Sequence, residues 1–163
     1  MDSPLFHEMF HSLRTATWIV AACTLIACSE GKDPEPTPGS DAFFPSNFRT
    51  AYDRVRDCRL SIEHDLTHIV IYADPDSSAR YLNEEYPFEP GAVIVKEEFA
   101  DEECSDRSGF TVMRKAQPGE HEDTLGWQWQ RLDANRALMT ANIAQCTACH
   151  ADCADRDYSC ALP

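Results

Sequence analysis

The chain is short of basic residues and has no long apolar run. It carries 14 Lys and Arg against 28 Asp and Glu among 163 residues, a formal net charge of −14 at pH 7. Nucleic-acid-binding surfaces neutralise phosphates with Lys and Arg, so this composition argues against a nucleic-acid partner. The longest apolar run, over residues 16–27, is too short for a membrane-spanning helix, which needs about 20 residues. With 43% hydrophobic residues, the chain can still bury a core as one domain.

The apolar run near the N-terminus has the pattern of an export signal. It ends in Leu25-Ile26-Ala27-Cys28, which resembles the lipobox of bacterial lipoproteins, where a cysteine is lipidated and becomes the mature N-terminus. Residues 1–27 are therefore predicted to be a removed signal peptide, with Met9 as an alternative start. An ordinary cleavable signal that ends near a cysteine is the alternative. The lipobox predicts a protein on the periplasmic side of a bacterial envelope, anchored at the outer membrane through lipid on Cys28.

Two regions follow the signal in the mature chain. Residues 28–42 are rich in proline and polar residues, which favours a flexible tether, and residues 43–163 are predicted to form the folded domain. Hydrophobic spacing predicts an α+β fold with a mainly antiparallel sheet and a C-terminal helix that carries a Cys-x-x-Cys-His motif. The predicted elements are a helix over 46–56, a strand over 66–73, a helix over 76–83, a strand over 92–99, a hairpin of strands 110–115 and 127–132, and a helix over 134–145 that runs into Cys146.

The strand over 92–99 is predicted to have two different faces. Ile94, Lys96 and Glu98 share one face, and Val93, Val95 and Phe99 share the other. Trp127 and Trp129 likewise point to one face and are expected in the core or a dimer contact. The acidic residues at positions 97–98 and 101–103 are expected to form a solvated edge.

Cys146-Thr147-Ala148-Cys149-His150 is the signature of c-type haem attachment. Two thiols on one helical turn add to the vinyl groups of the ring, and the adjacent histidine ligates the iron. The alternatives are a disulfide within the motif, or a zinc site that also uses Cys153. Adjacent Cys149 and His150 suit zinc poorly, since its ligand pairs are usually two or more residues apart.

The eight cysteines can be divided by role. Cys23 leaves with the signal peptide, Cys28 carries lipid, and the haem motif uses two more. An even remainder in an oxidising compartment predicts two disulfides, for which three connectivities are possible. We favour Cys58–Cys104 and Cys153–Cys160, because the second pair is close enough in sequence to clip the C-terminal tail.

Several segments together resemble the cytochrome P-460 family, which includes hydroxylamine-oxidising cytochromes and the related cytochromes c′-beta. The proline-glycine loop that leads into Val-Lys-Glu, followed by a C-terminal Cys-x-x-Cys-His, is the most specific part of the resemblance. The matching segments are Ile71–Pro75 with Tyr81 beyond it, Pro87–Glu97, the strand of Trp127, and Cys146–His150 followed by Asp157-Tyr158.

The resemblance implies a mostly β homodimer with a five-coordinate haem c, His150 as the proximal ligand and an open distal face for a small nitrogen species. In the hydroxylamine oxidases a strand lysine is joined covalently to the haem edge, and Lys96 falls at that position. The oxidases also use a distal carboxylate as proton acceptor, and Thr111 falls there. Threonine is no general base near neutral pH, so either Glu98 or Glu120 replaces it or the protein binds ligands without oxidising hydroxylamine efficiently.

These features lead to one main functional hypothesis and three alternatives. The main hypothesis is a mono-haem cytochrome that binds or oxidises hydroxylamine or nitric oxide and passes electrons to an external acceptor such as a soluble cytochrome. The alternatives are a nitric-oxide-binding cytochrome without turnover, an electron-transfer cytochrome, and a disulfide-stabilised lipoprotein without haem. Electron transfer requires a sixth iron ligand, for which the candidates are His64, His68, His121, Met113 and Met139.

Overall fold

The computed structural model describes residues 42–62, 64, 66–141 and 143–160, which belong to one compact unit. The predicted signal peptide over 1–27, the lipidation site Cys28 and the tether up to residue 41 lie outside the described residues. In the part that is described, none of the helices has the length and apolar character needed to cross a bilayer.

Six strands and three α-helices make up the described domain, with short 3₁₀ turns at Glu122–Thr124 and Ala151–Arg156. In chain order the elements are α1 (Phe48–Ala51), β1 (Asp53–Ser61), β2 (Thr67–Ala73), α2 (Pro75–Leu82), β3 (Val93–Phe99), β4 (Arg107–Lys115), β5 (Trp127–Asp133), β6 (Leu138–Ala141) and α3 (Ala144–His150).

The strands form one sheet in the order of the sequence, β1 to β6. Each neighbouring pair is antiparallel, so the α+β fold with an antiparallel sheet is confirmed. The predicted hairpin is also present, because Lys115 at the end of β4 pairs with Trp127 at the start of β5. Because each strand runs antiparallel beside the one before it, the sheet needs no crossover connection between parallel strands.

The sheet is apolar on both faces, which we call the cavity face and the α1 face. Ile94 belongs to a buried cluster on the cavity face, whereas Val93, Val95 and Phe99 belong to a second cluster on the α1 face. The predicted division of β3 is therefore confirmed. The cavity face also buries Ile69, Ile71, Met113, Trp127 and Trp129, and Phe44 and Phe48 from the N-terminal segment pack on the α1 face.

A buried carboxylate attaches α1 to the sheet. Glu97 on β3 is fully buried and accepts hydrogen bonds from Arg49 Nη2 at 2.6 Å and Arg107 Nε at 2.5 Å. A buried charge is tolerated only when it is paired and hydrogen-bonded. The expectation that the acidic residues form a solvated edge is therefore wrong for Glu97, while Glu102 and Glu103 are exposed.

The predicted helix over 46–56 is wrong beyond its first turn. Helix α1 ends at Ala51, and Tyr52 takes extended φ and ψ values of −110° and 153°. Residues from Asp53 onward form β1, which pairs with β2. The strand is an edge strand with mostly exposed, charged side chains, so it lacks the alternation that marks a half-buried strand, and charge on an edge protects it from further pairing.

The predicted helix over 134–145 is wrong in its first half. Asp133 Oδ1 accepts hydrogen bonds from the backbone N–H groups of Asn135 and Ala137, both at 2.8 Å, and Arg136 has φ of 70°. This turn reverses the chain into β6, which pairs with β5. Tertiary strand pairing thus overrides the helix propensity of the alanines, and the helix begins only at Ala144.

The predicted helix over 76–83 corresponds to α2, which begins at Pro75. Asp74 caps it by accepting hydrogen bonds from the N–H groups of Asp76 at 3.1 Å and Ser77 at 3.2 Å. The other carboxylate oxygen accepts from Val93 N at 2.6 Å. One side chain thereby fixes the start of α2 against the start of β3, and Tyr81 of α2 is buried on the cavity face.

Candidate functional site

The cavity face of the sheet encloses a cavity of about 350 Å³. Strand residues such as Ile71, Ile94 and Trp129 form its apolar wall, and the C-terminal segment supplies Cys146 and His150 on the other side. The cavity therefore combines an apolar wall with polar and charged side chains, and a concave site of this kind is a candidate for binding a cofactor or ligand.

Helix α3 presents the cysteines and the histidine of the motif to this cavity. Cys146 and Cys149 are separated by three positions, which places them on one side of the helix, and both line the cavity as free thiols. Burial raises the pKa of the Cys146 thiol, although the positive charges of Lys96 and Arg131 oppose that rise. The Cys146 thiol is half-buried, and the Cys149 thiol beside it is exposed.

The imidazole of His150 is held in one orientation. Its Nδ1–H donates to the carbonyl oxygen of Tyr158 at 2.5 Å, and its ring lies 4.7 Å from the Trp129 ring, centroid to centroid. Burial lowers the pKa of His150, the hydrogen bond to Tyr158 opposes this, and the charge of Lys96 adds to it. A neutral imidazole whose Nδ1 donates to a carbonyl keeps its Nε2 lone pair for a metal ion.

The Tyr158 carbonyl owes its position to Asp157. The Asp157 carboxylate accepts from Lys115 Nζ at 2.5 Å and from Phe88 N at 2.9 Å, and its carbonyl accepts from Trp127 Nε1 at 2.9 Å. Asp157 and Tyr158 both have left-handed backbone conformations, with φ of 49° and 66°. Non-glycine residues adopt such conformations only where their surroundings hold them, so this anchor fixes the carbonyl that orients His150.

The four remaining cysteines form two disulfides. Cys58 is bonded to Cys104, and Cys153 is bonded to Cys160; these are the pairs favoured from the sequence. The second bond closes the segment that follows α3. It also consumes Cys153, which the zinc alternative requires, and the described residues contain no group of three or more His, Cys, Asp or Glu side chains arranged for a metal ion.

Lys96 and Thr111 lie side by side on the cavity face. They are paired across β3 and β4, and both line the cavity. Lys96 Nζ lies 2.9 Å from His64 Nε2 and 3.1 Å from His64 Nδ1. The sequence-predicted residues Lys96, Thr111 and His150 are thus brought to one cavity although they come from different elements.

Thr111 is hydrogen-bonded to a buried carboxylate. Its Oγ1 donates to Glu98 Oε1, and Glu98 is only 8% exposed, so the expectation of a solvated acidic edge is wrong here as well. Glu98 stands opposite Gly109 on β4, where an added Cβ would lie 2.8 Å from the Leu132 carbonyl oxygen. A smaller cavity of about 70 Å³ touches both Glu98 and Thr111, whereas Glu120 is exposed and lines neither cavity.

Only two of the five candidate sixth ligands are near the cavity. His64 and Met113 line it. Met139 is 64% exposed on β6. His121 contacts Gln128 at 2.9 Å, and neither it nor His68 lines the cavity.

Two arginines line the same cavity and had no distinguishing signal in the sequence. Arg59 comes from β1 and Arg156 from the turn after α3. Arg156 Nε is buried without a hydrogen-bond partner in the described structure, and the Asp155 carboxylate lies 3.7 Å from it. The cavity therefore contains cationic groups able to accept an anionic ligand. The family resemblance includes Asp157-Tyr158, but the sequence assigns no role to Tyr158, because only its backbone carbonyl contributes and a carbonyl leaves no sequence pattern.

Comparisons with known proteins agree with this arrangement. The family model of cytochrome P460 matches residues 45–159, more than two thirds of the 163 residues. A comparison with curated proteins gives no match. The matched region contains the whole sheet, the Cys-x-x-Cys-His helix and the residues that line the cavity apart from Cys160, and the family is one of haem-binding cytochromes. The chain belongs to the cytochrome P460 family.

Proposed function

We propose that this protein is an exported c-type cytochrome that binds and oxidises a small nitrogen species such as hydroxylamine or nitric oxide. Cys146 and Cys149 would hold the haem through thioether bonds, and His150 would ligate its iron. The observation that carries the proposal is the bond from His150 Nδ1 to the Tyr158 carbonyl, since it leaves Nε2 for iron beside two free thiols.

The residues of the cavity fit a haem. Its ring is planar and apolar, and Ile69, Ile71, Ile94 and Trp129 provide an apolar wall. Its two propionates are carboxylates, which pair well with arginine. Arg59 and Arg156, whose Nε has no hydrogen-bond partner in the described structure, are the groups that would receive them.

Oxidation of hydroxylamine releases protons as well as electrons. The haem, when bound, would supply a redox-active iron from which electrons could reach an external acceptor such as a soluble cytochrome. Glu98 is the proposed proton acceptor, and the Thr111 hydroxyl that donates to it connects it with the main cavity. Glu98 thereby takes over the role that a carboxylate at position 111 has in the hydroxylamine oxidases that the chain resembles.

Lys96 is proposed to lie at the haem edge. It lines the cavity beside Thr111, as the resemblance to the oxidases implies, and a covalent bond from its amine to the ring would change the electronic properties of the haem. A reduced spectrum with a strongly red-shifted Soret band, lost in Lys96→Arg, would support this bond. An ordinary high-spin spectrum in the wild type would contradict it.

A nitric-oxide-binding cytochrome without turnover is the second candidate. Thr111 at the family's base position favours it, because a hydroxyl is not a proton acceptor near neutral pH. The apolar wall of Ile69, Ile71 and Ile94 also suits an uncharged diatomic ligand.

Export, anchoring and dimerisation complete the proposal. The two disulfides support an oxidising compartment, as expected for a domain tethered through Cys28 to the periplasmic side of an outer membrane. A homodimer is supported by β6, an edge strand whose four residues are all exposed, among them Leu138 and Met139.

The proposal is tested by producing the protein with a c-type maturation system. Intact mass should show covalent haem in the wild type and none in the Cys146→Ser, Cys149→Ser variant. Hydroxylamine should then drive reduction of an external acceptor. Because a general base contributes about 10²- to 10⁴-fold, Glu98→Gln should lower this rate by about that factor.

Glu103→Gln, which removes an exposed carboxylate, is the matched control and should leave the rate unchanged. A wild type that carries haem and binds nitric oxide but does not turn over hydroxylamine would favour the second candidate. A mature protein without covalent haem would refute both.

A further inference from the structure

The connection between β1 and β2 exposes apolar side chains next to the cavity. Ile62 is 71% exposed and Leu66 is 63% exposed, and both lie between Ser61 and Thr67, the last residues that pair the two strands. His64 stands between them in sequence and lines the cavity. This connection therefore borders the proposed haem site while its apolar side chains are in contact with solvent.

Folding of the domain alone does not explain why these residues are apolar. Side chains as exposed as Ile62 and Leu66 gain little free energy from burial. Leu66 also has a left-handed backbone with φ of 57°, a conformation that costs free energy in a leucine. Leu60 on β1 is a further exposed apolar side chain beside the connection. Exposed apolar side chains concentrated in so few residues indicate a surface that contacts another molecule.

An acidic turn lies at the same end of the sheet. The turn over residues 101–106, between β3 and β4, has four acidic residues and no basic one. Its place follows from the register, because β2 begins beside the end of β1 and opposite Phe99 at the end of β3. The Cys58–Cys104 disulfide also joins this turn to β1. The apolar connection and the acidic turn are thus neighbours in the fold.

Negative charge dominates the exposed part of this end. Glu102 and Asp106 are exposed, and the sequence has acidic residues at positions 63 and 65 of the connection as well. The basic residue that follows the turn, Arg107, is paired with a buried carboxylate on the α1 face. Arg59 of β1 lines the cavity. The exposed apolar side chains therefore have an acidic border.

The charge decides which kind of molecule fits this surface. A second copy of the chain, with a net charge of −14, would bring like charges together. An anionic lipid surface would be repelled for the same reason. A protein with a lysine-rich surface would instead be attracted and oriented by the acidic border.

We propose that Ile62, Leu66 and the acidic turn over 101–106 form a docking surface for a basic electron-acceptor protein, whose apolar redox edge is surrounded by lysines. This inference rests on the proposed function, because it requires a haem at the cavity behind His64. In each encounter the partner's redox centre gains one electron and the haem iron loses one, and no bond forms or breaks. The apolar centre excludes water, and the acidic border sets the orientation.

The test measures binding rather than turnover. The probe is a lysine-rich soluble cytochrome c in which zinc replaces iron, because it keeps the binding surface, accepts no electron and reports binding to the matured protein by its fluorescence. The complex should form at low ionic strength and weaken as salt is added. Glu102→Lys with Asp106→Lys should lower the association rate constant about tenfold and reduce its salt dependence.

The matched control for this variant is Glu122→Lys with Asp123→Lys. It changes the net charge by the same amount, and both residues are exposed. They lie in the connection between β4 and β5, at the end of β4 opposite to the acidic turn. This control should bind the zinc cytochrome as the wild type does.

The apolar centre is tested by Ile62→Ser with Leu66→Asn. This variant should weaken binding about tenfold, because central apolar contacts contribute most to small interfaces, and it should keep the salt dependence of the wild type. Asparagine tolerates the left-handed backbone at position 66, so thermal unfolding should change little and shows whether the fold is retained.

The outcomes separate the docking surface from the proposed function. A zinc cytochrome that does not bind the wild type, or that binds both double variants equally well, overturns the docking surface. A loss of vesicle binding or of self-association in Ile62→Ser with Leu66→Asn, with cytochrome binding retained, also overturns it and assigns the surface to a membrane or a second copy.

Ferricyanide, a small acceptor that needs no docking surface, tests the proposed function by itself. A haem-containing wild type that does not reduce ferricyanide with hydroxylamine refutes the oxidase, while the titration still decides the docking surface. Absence of covalent haem overturns the proposed function and this inference together.

Discussion

Asp157 links the core of the domain to His150, whose side chain faces the cavity. Its carboxylate joins Lys115 and the backbone of Phe88, and the next residue provides the carbonyl for His150. The carboxylate is 8% exposed, so water does not replace a lost partner. Residues that contact no ligand can therefore decide whether a histidine is correctly oriented for iron.

We expect Asp157→Asn to weaken this anchor. The amide keeps the shape but loses the charge-assisted bond to Lys115, and leaving a buried charge without its partner costs about 1–3 kcal/mol or more. Chemical denaturation should show this loss. Resonance Raman spectroscopy of the matured protein should show a shifted iron–histidine vibration, a change that a merely structural role would not produce.

Asp155→Asn is the control for this variant, since the Asp155 side chain is 78% exposed. It should change neither the stability nor the vibration. An iron–histidine vibration identical in wild type and Asp157→Asn would show that the anchor does not act on His150.

Glu97 is a buried, paired carboxylate like Asp157, but it lies on the α1 face of the sheet. It is buried between Arg49 of α1 and Arg107 of β4, and the hydrogen bond to Glu97 raises the pKa of Arg49. We expect Glu97→Gln to lower the free energy of unfolding by about 1–3 kcal/mol, because charged hydrogen bonds are replaced by weaker neutral ones. The haem spectrum should not change, since the residue faces away from the cavity.

A double-mutant cycle with Arg49→Met measures the coupling directly. A cycle in which the two effects simply add would show that the pair does not hold α1 to the sheet.

At the level of elements, the two disulfides connect different parts of the fold. Cys58–Cys104 joins β1 to the turn between β3 and β4, with 46 residues of separation, whereas Cys153–Cys160 closes a loop with a separation of 7 that contains Asp157 and Tyr158. Strand β1 and the segment after α3 both line the cavity, and each is held by one of the two disulfides. Only the second bond encloses the carbonyl that orients His150.

We predict different results when each bond is replaced by serines. Cys58→Ser with Cys104→Ser should lower stability by about 2–4 kcal/mol, because the unfolded chain gains entropy, and should leave the haem spectrum unchanged. Cys153→Ser with Cys160→Ser should also alter the spectrum. Thermal unfolding and absorption spectra of the two double variants, compared side by side, check this; a normal spectrum in the second variant would contradict it.

At the level of the whole molecule, the sheet has two open ends. The edge strand β1 carries mostly charged side chains, with Leu60 exposed among them, whereas β6 exposes the adjacent apolar residues Leu138 and Met139. An unprotected edge with exposed apolar side chains is a surface on which a second chain can pair. The difference between the two edges indicates that dimerisation, as proposed, uses β6.

Met139→Glu should therefore convert the dimer to a monomer. Sedimentation velocity at several concentrations measures this, and a charge on an exposed strand should change the stability of the monomer little. Leu60→Glu, on the other edge strand, is the control and should remain dimeric; a dimer that survives Met139→Glu would place the interface elsewhere.

The sequence by itself determined the features that depend on local spacing. The Cys-x-x-Cys-His motif, the alternation in β3, the hairpin of β4 and β5, and the even number of remaining cysteines are all readable within a few residues. These patterns follow from helical and strand periods and from chemistry along the chain. The family resemblance rests on the same local patterns.

Only the tertiary structure decided which distant groups meet. It turned the residues after Ala51 and after Asp133 into strands, because pairing with β2 and β5 outweighs local propensity. It buried Glu98 beside Thr111, brought the Tyr158 carbonyl to His150, and placed His64 at 6.5 Å from that ring. Contacts between residues far apart in sequence are set by the packing of the whole sheet, and no local pattern encodes them.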